Sequence, residues 1–180
     1  MQVTFTRLLG PRYTVEVTRD LDPPARMNVA PGFDEFLPHD LAHFLVEREF
    51  RLQLGIFGQL AAGGDAGTFW CAPVDRSVRL AQRAHRLRVA GRGDLGRSER
   101  LTAICVAAWE IDAGRRSVGD AWPARALHDT AHVPPARVAR VLAAFDDDAP
   151  RWHALGAGES LRFEWPAELT LRRSARLRSA

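Results

Sequence analysis

The 180-residue chain predicts an α+β fold, a small antiparallel sheet packed against several helices, and three observations carry that expectation. Near the N-terminus, alternating apolar residues flank the turn signal Gly10-Pro11. Near the C-terminus, Leu161, Phe163 and Trp165 alternate with Arg162 and Glu164. Between these ends lie long stretches with apolar residues at helical spacing, bounded by proline or glycine. Strands at both chain ends and helices between them suit helices packed on one face of a small antiparallel sheet.

The elements follow in order. Val3 to Leu9 and Arg12 to Thr18 form a hairpin, with Tyr13, Val15 and Val17 on one face. Asp20 to Pro24 breaks the chain, and Arg26 to Asp34 reads as an irregular connection. A helix starts at Pro38, a residue suited to a first helical position, and runs to about Arg51. Gly55 to Ala62 is a short second helix stopped by Gly63-Gly64. Thr68 to Cys71 suits a strand or a buried turn. Asp75, as N-cap, opens a helix to Ala90 that Gly91 stops. Ser98 to Ala113 is the apolar core helix, and Arg115 to Val133 has no clear pattern. Pro134-Pro135 starts a last helix through Phe145, before the acidic run Asp146 to Asp148. Ser160 to Trp165 is a strand that joins the N-terminal hairpin and brings the chain ends together. Residues 1–170 are expected to form a single domain, with an arginine-rich tail, 171–180, frayed at its end.

Composition narrows the function by exclusion. Hydrophobic residues make up 46% and charged residues 26%, which suits a globular domain and not a disordered chain. All 25 basic residues are arginine, so lysine Schiff-base and Walker-type chemistry is ruled out. There is no bilayer-length apolar run and no signal-peptide h-region. Cys71 and Cys105 form neither a CxxC pair nor a disulfide framework, so a reducing cytoplasm is the expected location.

The positive signal is in the histidines. Four of the six fall in two copies of one pattern, His39-Asp40-Leu41-Ala42-His43 and His128-Asp129-Thr130-Ala131-His132. Residues four apart share a helix face, so His39 and His43 can present two imidazole nitrogens to one ion. Glu47 continues the stripe, and HDxxHxxxE then offers the ligand set of zinc or another divalent first-row metal with positions left open. Asp40 points roughly 100° away round the helix, where it can accept a proton or support a ligand. Leu41, Ala42, Phe44 and Leu45 form the core face, so a metal site on the opposite stripe needs a second layer of protein over it. The competing reading makes His39 and Asp40 features of a helix start and leaves Glu47 solvated with Arg48 and Glu49, or paired with Arg51. His128, Asp129 and His132 either complete the first site, hold a second ion or lie in a surface loop. His85 and His153 read as incidental.

The stretch His39 to His43 resembles the HDxxH helix of the coenzyme Q biosynthesis family, whose members bind zinc and act on the quinone head group. The resemblance implies zinc, and roles for His39, Asp40 and His43 in binding it. That family places a glutamate twelve residues after the second histidine; here that position is Gly55, so Glu47 or Glu49 substitutes. Ala126-Leu127-His128-Asp129 and Pro38-His39-Asp40 also resemble HD-type phosphohydrolases, which surround the His-Asp pair with an upstream histidine and a downstream aspartate. No histidine precedes His39, and the counterparts for His128-Asp129 are His85 and Asp146 to Asp148.

Charge divides the chain. Residues 1–75 carry six arginines against ten acids, and the remainder carries nineteen arginines against twelve acids. Arg76, Arg79, Arg83 and Arg86 make a basic stripe that supports a rival reading, a non-enzymatic interaction protein bound to an acidic partner, with the histidines structural. No helix-turn-helix, RNA-recognition or zinc-knuckle signature accompanies the stripe. Partner, small-molecule substrate and oligomeric state stay open. The acidic half holds the His/Glu helix, which suits a cation.

Overall fold

The computed structural model describes residues 1–20, 22–27, 36–67, 69–71, 78–117 and 133–171. Five strands, β1 (Gln2–Arg7), β2 (Tyr13–Thr18), β3 (Ala25–Met27), β4 (Phe69–Cys71) and β5 (Ser160–Glu164), form one antiparallel sheet in the order β4-β3-β2-β1-β5. The helices are α1 (His39–Phe50), α2 (Ile56–Ala61), α3 (Val78–Ala90), α4 (Arg92–Asp112) and α5 (Pro135–His153), followed by a 3₁₀ turn at Ala167–Leu169. This is the α+β architecture that the strand patterns predict.

Period-two alternation explains the sheet. Val3 pairs with Val17 and Phe163, and Phe5 with Val15 and Leu161, so one register puts six apolar side chains on one face. All six are buried. The alternate residues Glu16, Arg162 and Glu164 are exposed on the opposite side. The chain ends meet as expected: β5 pairs with β1, and the Trp165 N–H donates to the Met1 carbonyl at 2.9 Å.

The buried face meets α1 through aromatic side chains. Phe44 contacts Phe5, Phe57, Phe163 and Trp165, with ring centroids 5.1–6.3 Å apart and mostly edge-to-face. On its other side α1 packs against α4 and α5. The stripe opposite the core face is therefore covered by the second layer a metal site there requires, and His43, Val46, Glu47 and Phe50 are all buried.

Several boundaries differ from the sequence expectation. β3 has only three residues, too few to show a period, and two of them fall in the Arg26 to Asp34 stretch read as an irregular connection. α4 begins at Arg92 and not at Ser98, running through Gly93 and Gly96. Asp94 in its first turn accepts the Leu54 N–H at 2.9 Å, which ties this early turn to the α1–α2 connection. Gly91 separates α3 from α4 because the backbone passes too close for a side chain: a Cβ there would lie 2.6 Å from the Leu54 carbonyl oxygen. α5 continues past Phe145 to His153, with two of the three acids in its acidic run engaged. Asp146 accepts from the Trp109 indole N–H at 2.7 Å and Asp148 pairs with Arg151, while Pro150 sits in the last turn. Arg7 closes that end by donating to the carbonyls of His153 and Leu155 at 2.9 and 3.0 Å. The proposed Asp75 cap, the second histidine motif and the 172–180 part of the tail lie outside the described residues. Among the described residues no helix is long and apolar enough to cross a membrane.

Gly55, which precedes α2, is a second close approach. A Cβ built on it would stand 2.4–2.6 Å from the carboxylate atoms of Glu47. Gly55→Ala is expected to lower the unfolding free energy by about 1–3 kcal/mol through overpacking. Urea denaturation checks this, and a variant as stable as the parent would show that Glu47 is not seated there.

Candidate metal centre

The first turn of α1 brings His39 and His43 onto one face. Their Nε2 atoms stand 3.1 Å apart, with ring planes 81° to each other. The third group is Glu99 of α4, whose Oε2 lies 3.7 Å from His43 Nε2. One ligand atom from each of the three lies within 4.8 Å of the other two, close enough to hold a single metal ion. Zinc bonds to nitrogen and oxygen of about 2.0–2.1 Å put tetrahedral ligand atoms about 3.3 Å apart, and the two separations at His43 Nε2, 3.1 and 3.7 Å, bracket that value. His43 is almost fully buried, while His39 and Glu99 are exposed, so the group sits at a rim with access to solvent.

The structure thus separates the residues of HDxxHxxxE. It brings His39 and His43 together and puts Glu99 beside them, where the sequence spacing placed Glu47. Glu47 is one turn deeper and fully buried. Its Oε1 accepts the Ile56 N–H at 2.7 Å and the Ser98 hydroxyl at 2.7 Å, and its Oε2 accepts the Phe57 N–H at 2.9 Å. The physical reason is that α2 starts directly below it with orphan N–H donors, which a carboxylate satisfies. Burial pushes the Glu47 carboxyl up to about 7, against the pull of Ser98 and the backbone N–H groups of Phe57, Ile56 and Gly58. Neither the solvated face with Arg48 nor the pairing with Arg51 is found.

Asp40 points away from the triad. Its Oδ2 accepts the Tyr13 hydroxyl at 2.5 Å, and its own N–H donates to that hydroxyl oxygen at 3.2 Å. Burial raises its carboxyl above the usual range, while Tyr13, His39 and its own backbone N–H pull it down. His43 is driven the other way: burial first, and then the charge of His39, lower its imidazole to about 3, so it is neutral at physiological pH.

Three residues that sequence reasoning missed belong to this centre: Glu99, and the two hydroxyls against His43 Nδ1, Ser98 at 2.8 Å and Thr102 at 3.2 Å. Ser98 and Thr102 are spaced four apart on α4, the same spacing as His39 and His43. That match was their one trace in the sequence.

No protein-family model, curated protein or solved structure matches the chain. The functional reading therefore rests on the residues themselves. On the arginine helix, Arg79 and Arg86 are exposed, Arg83 faces Asp22 at 3.7 Å, and Arg76 lies outside the described residues. A cleft of about 430 Å³ at the hairpin turn is lined by Arg7, Arg12, Trp152 and His153 among others, and contains none of the candidate ligands. Cys105 is buried, and burial pushes its thiol up to about 12, which makes it inert as a nucleophile.

Proposed function

We propose that this protein binds a divalent first-row metal ion, zinc foremost, through His39 Nε2, His43 Nε2 and a carboxylate oxygen of Glu99, and uses it in a metal-dependent reaction. The observation that supports this reading is the convergence of two imidazole nitrogens and one carboxylate oxygen at a solvent-accessible rim. Two nitrogens and one oxygen with a position left open match catalytic metal sites, whereas structural zinc sites are closed by four protein ligands. When bound, such an ion polarises a substrate oxygen or lowers the pKa of water. Asp40, whose carboxylate is turned to the Tyr13 hydroxyl and not to the three ligand atoms, is in this reading a supporting carboxylate beside His39 and not a group at the ion's open position. The resemblance of His39, Asp40 and His43 to the coenzyme Q family helix makes zinc the first metal to test.

Elemental analysis of the purified protein, before and after Zn²⁺ reconstitution, tests the proposal. Stoichiometric metal in the wild type is expected, with loss in His39→Ala/His43→Ala and weakened retention in Glu99→Gln. Substoichiometric metal after reconstitution, or unchanged metal in the double histidine variant, overturns it.

A further inference from the structure

The side of His43 away from His39 and Glu99 is as fully built as the side toward them. Its Nδ1 lies 2.8 Å from Ser98 Oγ, and Ser98 Oγ lies 2.7 Å from Glu47 Oε1. Exposure of the three side chains is 1%, 0% and 0%, so water does not compete for these bonds. A serine hydroxyl has one proton to give, and an ionised carboxylate can only accept. With Glu47 ionised, both of its oxygens accept, Oε1 from the Ile56 N–H as well as from Ser98 and Oε2 from the Phe57 N–H. Ser98 therefore donates to Glu47 and turns its lone pairs toward His43. The hydrogen between Ser98 and His43 must then belong to His43 Nδ1, and Thr102 Oγ1 at 3.2 Å offers it a second acceptor. A neutral imidazole protonated at Nδ1 carries its lone pair on Nε2. That atom is the one 3.1 Å from His39 Nε2 and 3.7 Å from Glu99 Oε2.

From this geometry we infer that Ser98, with its proton direction set by Glu47, is a positioning residue that holds His43 in the Nδ1–H tautomer and aims Nε2 at the ion. The inference rests on the metal-binding reading above and adds to it the means by which one ligand is prepared. It also gives Glu47 two duties, since the same carboxylate ties α2 and α4 to the histidine helix. Neither Ser98 nor Glu47 touches the ion. Outer partners of a ligating histidine commonly change metal affinity by about 10–100-fold when removed.

Nitrogen-15 NMR of histidine-labelled, metal-free wild type at about pH 8 reads the tautomer of His43, at a pH above the value of about 7 that burial gives Glu47. Zn²⁺ titration against a competing chelator then compares wild type with Ser98→Ala. The expected results are an Nδ1–H tautomer in the wild type, and Zn²⁺ affinity about 10–100-fold lower in Ser98→Ala with the His43 signal no longer confined to that tautomer. An Nε2–H tautomer in the wild type overturns the inference without any variant, so a variant that misfolds does not shield it. Equal Zn²⁺ affinity in wild type and Ser98→Ala overturns the positioning role and leaves the metal reading standing. Wild type that shows no Zn²⁺ affinity overturns both.

Discussion

Phe44→Ala is expected to destabilise the protein by about 3–5 kcal/mol, the cost of removing a large aromatic side chain from a well-packed core. Phe44 is fully buried and is the ring on which two sheet strands, α2 and the segment after β5 converge. The surrounding rings come from three separate stretches of chain, so they cannot close the void without shifting several backbones at once. For a domain of this size the loss corresponds to a fall in Tm of about 6–20 °C. Leu9→Ala is the control: Leu9 is 78% exposed at the hairpin, and its loss is expected to stay within about 0.5 kcal/mol. Thermal unfolding followed by circular dichroism measures both. Comparable losses in the two variants would mean that the ring cluster does not organise the core.

The parts of this fold that were legible in the sequence are those with a period long enough to read. β1, β2 and β5 each show alternation across the buried face, and α1 shows an apolar face opposite a histidine stripe. β3 was not legible, because its position is decided by the edge of β2 that it pairs with and not by its own residues. The early turns of α4 contradict local propensity, since Gly93 and Gly96 each disfavour helix. Tertiary ties, such as Asp94 to Leu54, outweigh that cost. The same distinction holds in the candidate centre. Spacing of four residues reveals which side chains share a helix face, and His39 and His43 do share one. Spacing does not reveal depth, and the stripe runs from solvent at His39 to the interior at Glu47. The exposed end meets a carboxylate from α4, and the buried end meets the start of α2. Glu99 is supplied by a helix far away in sequence, and no local pattern announces such a partner.

Glu47→Leu is expected to cost about 3 kcal/mol or more, because it strands the Ile56 and Phe57 N–H groups and the Ser98 hydroxyl in a site without water, each worth about 1–3 kcal/mol when left unpaired. Glu47→Gln separates the charge from the shape. An amide keeps one accepting oxygen and turns an NH₂ group against a backbone donor, so it too loses stability. The pH dependence of that loss has a definite sign. Glu47 binds its proton more tightly in the fold, near 7, than at its ordinary value of 4.5. Between those values the native state carries more protons than the unfolded chain, so wild-type stability falls as pH rises. His43 contributes the opposite slope. Its imidazole is lowered from 6.5 to about 3, so its share of the stability is lost as pH falls through that range. The two slopes offset each other where the ranges overlap, and the wild-type curve alone hides them. Subtracting the Glu47→Gln curve, measured with a chelator present, cancels the histidine and leaves the glutamate. The advantage of wild type over Glu47→Gln is expected to be largest at and below about pH 4.5, to shrink up to about pH 7, and to level off above it. An advantage that grows with pH would mean that the donors around Glu47 outweigh its burial and hold its carboxyl below the ordinary range.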